Sequence, residues 1–241
     1  MSCKDCLYIT TGVTRGLGRS IYELLGKRGA LQVGISRSMP CDSNNIAVSI
    51  PHVGFIEWDF SHTPSSSVQS QIERKLFNFI SSTKCKTVVL ISNAGSIMPI
   101  SQSTLMPIEE LAVSLNINCL APTFLAATLA AITEPMNVKL LIVSITSGAA
   151  LRPIAGWQAY CTSKSAVKMA LGVLSLENSH VRVVDFDPGV LDTDMQRDIR
   201  SSGSASMSNL KEFLAIKENG KLKHPDDVSE ILIEKIGRIL G

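Results

Sequence analysis

A short apolar run over residues 7–11 leads directly into Gly12-Val13-Thr14-Arg15-Gly16-Leu17-Gly18, and an amphipathic stretch over 19–29 follows with Ile21, Leu24 and Leu25 on one face. Strand, glycine-rich turn and helix in that order restrict the fold strongly. Glycines let the backbone approach a bulky anion, and the helix N-terminus supplies free N–H groups and the positive end of a dipole. The spacing is G-x-x-x-G-x-G, and a tight turn alone would account for the glycines. Their position, between the first strand and the first helix of an alternating chain, points to dinucleotide binding.

The alternation continues. Apolar runs over 31–36, 54–59, 87–92, 138–145 and 181–187 read as strands. Helical periodicity runs from a serine-rich loop at 61–67 to Ile80, then over 107–132 and 156–179, and Pro225, Asp226 and Asp227 open a last helix. Strands joined through helices at this spacing form right-handed crossovers, so the expectation is an α/β fold with one doubly wound parallel sheet of six strands. No linker interrupts it, so residues 1–241 read as one domain, with the polar segment 200–209 part of a lid over about 192–223.

Composition excludes some classes. The chain has 241 residues, 45% of them hydrophobic, enough for a sizeable core. A net charge of +2 and a pI near 8.2 give no reason to expect nucleic acid or an acidic membrane surface as partner. The start of the chain is polar, and the reading expects neither a leader nor a spanning helix. Cys3 and Cys6 form a C-x-x-C without a second pair, so no metal site is expected. All six cysteines read as reduced thiols of a cytoplasmic protein.

The end of the second strand bears on which dinucleotide is bound. An Asp or Glu there would hold the ribose 2′-hydroxyl of NAD. Here the strand ends Gly34-Ile35-Ser36-Arg37-Ser38, with no acid and with Arg37 available for a 2′-phosphate. Arg15 is a second candidate cation, and the expected cofactor is NADP(H). Asp59 and Asn93-Ala94-Gly95 end later strands, where ligands of open parallel sheets lie.

Tyr160 precedes Lys164 by four residues, so a helix sets them on one face. An ammonium beside a phenol lowers its pKa, which suits the phenol to acid or base work. The motif is common by itself. Taken in order, though, TGVTRGLG, Asp59, NAG at 93–95, a Ser thirteen residues before Tyr160, YCTSK and PGVLDT at 188–193 resemble the short-chain dehydrogenase/reductase family along nearly the whole chain. PGVLDTDMQ at 188–196 and the segment through 222 look like its subgroup of sepiapterin and benzil reductases.

That resemblance implies a Rossmann-like sheet and a catalytic group of four. Tyr160 would be the proton donor for carbonyl reduction, Lys164 would tune it and hold the nicotinamide ribose, and Ser147 would polarise the substrate carbonyl. Asn118, preferred to Asn116, would hold a water leading from Lys164. The expected cofactor site comprises Gly12, Thr14, Arg15, Gly16, Leu17 and Gly18; Arg37 and Ser38; Asp59; Asn93, Ala94 and Gly95; Tyr160 and Lys164; and Pro188, Gly189, Val190, Leu191 and Thr193. Ser147, Leu151, Trp157, Tyr160 and Met195 are expected to meet the substrate, with core or dimer contact the alternative for Trp157. Family members usually add a seventh strand, which the sequence ending at Gly241 does not show. The implied activity is NADPH-dependent reduction of a small-molecule ketone, diketone or aldehyde. The alternatives are a catalytically silent NADP-sensing protein and an alcohol or steroid dehydrogenase working oxidatively. A homodimer is expected through the helices at 107–132 and 156–179, with Leu125, Leu129, Val167 and Leu171 on their outer faces.

Overall fold

The computed structural model describes residues 5–40, 54–203, 207 and 210–241. Six strands form one sheet: β1 (Cys6–Thr11), β2 (Leu31–Ser36), β3 (Gly54–Glu57), β4 (Thr87–Ser92), β5 (Lys139–Ile145) and β6 (Val181–Phe186). Their order is β3-β2-β1-β4-β5-β6, and every neighbouring pair is parallel. The order reverses between β1 and β4, and ligands of such sheets bind beyond the strand ends at that switch point.

Alternate residues of each strand feed opposite faces, as the two-residue pleat requires. Leu7, Ile9, Val88, Leu90, Leu140 and Ile142 pack on one side against α2 (Ser66–Thr83), α4 (Ala121–Thr133) and α5 (Gln158–Glu177). Tyr8, Val89, Ile91, Leu141 and Val143 pack on the other against α1 (Gly16–Lys27) and α8 (Pro225–Leu240). Near-continuous apolar strands result from this double covering.

The helix after the glycine loop begins at Gly16 rather than at residue 19, because Gly16 and Gly18 belong to its first turn. A Cβ on Gly18 would stand 2.2 Å from the Gly12 carbonyl oxygen and 2.3 Å from Asn93 Nδ2, so this position admits only glycine. Gly12 and Gly16 have positive φ, 74° and 55°, and the reversal between strand and helix depends on that conformation.

The helix expected over 107–132 is not a continuous α-helix. It consists of α3 (Ile108–Leu115), one π-helical turn at Asn116–Leu120, and α4. A π turn inserts one extra residue and rotates the next helical segment about its axis, and such turns recur at functional sites. The run Ile108–Thr133 is long and apolar enough by composition to cross a bilayer, a property that core helices share. It lies instead against the sheet, with Leu125, Ala126 and Leu129 fully buried. Leu125, Leu129, Val167 and Leu171, expected on an outer face, are core residues of a single chain. The outward apolar residues are Leu105, Ile108, Val113 and Leu120 near α3, and Met169, Val173 and Leu176 on α5.

Candidate active site

A cavity of about 870 Å³ opens beyond the carboxyl ends of the strands. Its wall holds Gly12, Thr14, Arg15, Gly16 and Leu17 from the glycine loop, Arg37, Asp59, Asn93 to Gly95, Ser147, Trp157, Tyr160, Lys164, the loop from Pro188 to Thr193, and Met195. The strand ends bring these together from every part of the chain. Four expected residues are not on this wall: Gly18 and Asn118 are buried behind it, and Ser38 and Leu151 lie off it. Ser38 turns away, its carbonyl accepting the Ser36 hydroxyl at 2.7 Å. Leu151 is 78% exposed, because it ends a short 3₁₀ turn (Gly148–Ala150) that points its neighbours inward and itself outward. Ile97, Ile154 and Asp187 line the cavity and were not anticipated. Each stands in a loop, where apolar periodicity carries no signal.

At one end the N-terminus of α1 has no acidic residue in its first turn and no side chain capping it. Its unpaired N–H groups and positive dipole end suit a pyrophosphate. Arg37 stands beside Asp59, whose carboxyl is held below its usual pKa chiefly by the Ser61 N–H, with Arg37 adding a smaller effect. Arg15, read from sequence as a free cation, is paired with Asp194 at 3.0 Å, and Arg197 shares the same carboxylate. The Asn93 side chain is occupied too. It donates to the Thr11 carbonyl at 3.0 Å, while the Asn93 and Ala94 N–H groups both donate to Thr11 Oγ1 at 2.9 Å, which joins the ends of β1 and β4.

At the other end, Tyr160 and Lys164 lie one helical turn apart on α5. Ser147, just past β5, accepts the Ala149 N–H at 3.3 Å and hydrogen-bonds the Tyr160 phenol. Lys164 Nζ donates to the Ile145 carbonyl at 2.9 Å and lies 5.8 Å from the centre of the Tyr160 ring. The expected lowering of the phenol pKa does not occur. Burial pushes Tyr160 up to about 12, against the smaller opposing effect of Ser147. Burial likewise lowers Lys164 to about 8. The ammonium reaches past the ring to a backbone carbonyl, so the phenol oxygen gains little from it.

Asn118 is carried on the π turn and is fully buried. Its Oδ1 accepts the Ser96 N–H at 2.9 Å, and its Nδ2 donates to the Ser96 carbonyl at 2.8 Å and to Ser114 Oγ at 3.2 Å. A Cβ on Gly95 would lie 3.1 Å from Asn118 Oδ1 and 3.8 Å from Lys164 Nζ, so Asn118 and Lys164 converge on that glycine. Asn116 faces elsewhere, accepting from Thr63 Oγ1 and donating to the Ser61 carbonyl. Trp157, left open between pocket, core and dimer, lines the cavity and packs with Ile97, Ala149 and Tyr160.

A six-stranded doubly wound sheet with this residue order at its switch point defines an oxidoreductase that uses a nicotinamide nucleotide. Residues 7–203 match the short chain dehydrogenase model, and the chain belongs to that family. It is 31% identical over 231 residues to the benzil reductase ((S)-benzoin forming) of Bacillus cereus, covering 93% of this chain and 91% of the relative. It is 30% identical to the sepiapterin reductase of Xenopus laevis, covering 90% and 84% respectively. Among solved structures, KRED1-Pglu superposes with a TM-score of 0.75 at 25% identity, covering 94% of this chain and 92% of that one.

The Lys164 shift has a consequence for stability. Its folded pKa, about 8, lies below the ordinary value of 10.5, so between these pH values the unfolded chain binds more protons. Stability from this group therefore rises with pH across that window and is flat below it. Urea unfolding of the protein without ligand should show wild type gaining on Lys164→Met from about pH 8 to 10.5. Parallel pH profiles for the two proteins would contradict the assignment.

Proposed function

We propose that this chain is an NADPH-dependent reductase of a ketone, diketone or aldehyde, with Tyr160 as the proton donor. The observation that carries the reading is the convergence of Ser147, Tyr160 and Lys164 at one end of a cavity whose other end offers a helix N-terminus and Arg37. The reductases among the relatives support the direction. The site fits a dinucleotide: the α1 N-terminus and the glycine loop would hold the pyrophosphate, Arg37 a 2′-phosphate, and Lys164 the nicotinamide ribose. When bound there, the reduced nicotinamide supplies a hydride to the carbonyl carbon.

The chain's own residues handle the oxygen. Ser147 donates a hydrogen bond to the carbonyl oxygen and polarises it. Tyr160, whose pKa of about 12 keeps it protonated near neutral pH, gives its proton to the same oxygen as negative charge develops there. Lys164, held on the Ile145 carbonyl, positions the nicotinamide ribose beside the phenol. Asn118 holds the Ser96 backbone, and with it the wall beside Lys164. Ile97, Ile154, Trp157, Met195, Ile199 and Phe213 make the substrate end apolar, which suits hydrophobic flanking groups. Residues 1–241 act as one reductase domain, with α6 (Asp194–Ser201) and α7 (Leu210–Glu218) in the lid. Free thiols at Cys6, Cys85, Cys119 and Cys161 suit a cytoplasmic setting.

Tyr160→Phe keeps the ring and removes the proton. It should leave NADPH affinity intact and lower the reduction rate on the order of 10² to 10⁴-fold. NADPH oxidation against diketones, quinones, aldehydes and pterins identifies a substrate for that measurement, and near-wild-type turnover in the variant would exclude the mechanism.

Arg37 is the cation assigned to the 2′-phosphate. Titration calorimetry should give tighter binding of NADPH than NADH, and Arg37→Asp should remove the preference. Equal affinity of the variant for NADPH would show that the phosphate lies elsewhere.

We also propose a homodimer, built from faces other than those expected from sequence. Met169 and Leu176 on α5 are 70% and 89% exposed, and they continue an apolar surface with Val173. Light scattering at micromolar concentration should report a dimer, and Met169→Glu should shift it to monomer. A monomeric wild type would contradict the proposal.

A further inference from the structure

Trp157 precedes the first turn of α5 and stands on the apolar end of the cavity wall. Its ring meets the Tyr160 ring edge-on with centroids 5.8 Å apart, and the Phe213 ring of α7 lies 5.3 Å away. Ile97, Ala149, Ile199 and Met207 complete a hydrocarbon surround. The indole is 5% exposed, yet its Nε1–H has no hydrogen-bond acceptor among the described residues. An indole N–H can only donate, so what this position lacks is an acceptor. A phenylalanine would fill most of that space without leaving a buried donor unpaired.

We propose that Trp157 is a specificity-determining residue whose indole N–H takes the second oxygen of a vicinal diketone, while Tyr160 and Ser147 take the first. The inference rests on the carbonyl-reductase reading above. Tyr160 and Ser147 address a single oxygen, and nothing in that pair distinguishes a diketone from a monoketone. The two ring centroids are 5.8 Å apart and both rings line the cavity, so the proposal sets the two donors on one small ligand. Oxygens on neighbouring carbons meet that requirement. The N–H is covered in this arrangement, so the ligand reaches it by movement of the adjoining wall, where Phe213 is carried on a helix with no fully buried residue. A monoketone leaves the indole donor unpaired, and a site built around a donor discriminates against ligands that cannot satisfy it.

The test compares benzil with deoxybenzoin, the same skeleton with one carbonyl replaced by methylene. In Trp157→Phe, kcat/KM for benzil should fall roughly 3- to 15-fold, the share of one neutral hydrogen bond. The value for deoxybenzoin should stay within about twofold, as expected when no such bond is lost. Equal losses on both ketones would reduce Trp157 to packing, and no loss on either would remove it from recognition, so either result overturns the inference. A second measurement needs no variant. The chain has 2 tryptophans, so its ¹⁵N-indole spectrum holds two resonances. With NADP⁺ present, one should move downfield on adding benzil and hold still on adding deoxybenzoin. Two stationary resonances at saturating benzil would overturn it. A wild type that reduces deoxybenzoin but not benzil defeats this inference alone. A wild type that binds NADPH and reduces no carbonyl defeats the reductase reading, and this inference with it.

Discussion

The site depends on a buried ammonium. Lys164 is 8% exposed and finds one acceptor among the described residues, the carbonyl of Ile145. An ammonium carries three donors, and burying it with so few partners is costly, which is why its pKa drops. The surrounding arrangement is built on the same elements. Ile145 is the last residue of β5, so the strand that supplies the acceptor also delivers Ser147 two residues later. Tyr160 lies one turn before Lys164 on α5, and the π turn brings Asn118 to the same glycine, Gly95. In the proposed reaction the remaining donors of Lys164 are the ones that ribose hydroxyls would use, so part of the burial cost is relieved only when the nucleotide binds.

Burial also decides the state of Tyr160. Had the ammonium reached the phenol oxygen, it would have lowered the phenol pKa. With the pKa at about 12 it holds the proton. In the proposed reaction such a phenol keeps its proton until charge develops on the substrate oxygen. Desolvation thus outweighs the pairing suggested by the four-residue spacing.

The sheet, its parallel order and the glycine loop were legible because each rests on local rules: apolar strands covered on both faces, helices after most strands, glycine where a Cβ would collide. Tyr160, Lys164 and Ser147 were legible as a pattern in order. Geometry that depends on tertiary partners was not. The apolar residues of α4 and α5 surround much of each helix, so periodicity could not say which of them meet the sheet, and Leu125, Leu129, Val167 and Leu171 proved to be core. The π turn leaves no composition signal, since NINCL reads as helix throughout. Leu151 was expected in the pocket from the resemblance, but a 3₁₀ turn faces it outward. Arg15 looked free because its partner Asp194 is 179 residues away.

That last pairing shows how the two ends of the cavity are held together. Besides the Arg15–Asp194 ion pair, Gly16 and Thr193 come so close that a Cβ on the glycine would stand 3.3 Å from Thr193 Cγ2. The loop from Pro188 to Thr193 is itself fixed by backbone pairing with Lys223: the Lys223 N–H donates to Val190, and Asp192 donates to Lys223, each at 3.0 Å. At its start the Gly189 N–H donates to Asp187 Oδ1 at 2.8 Å, with φ of 72° at the glycine. Directly after this loop, α6 places Met195 and Ile199 on the substrate wall. The glycine loop, the 188–193 loop and α6 are therefore one connected structure. The glycine loop and the helix at the other end of the cavity share contacts at Thr193 and Asp194.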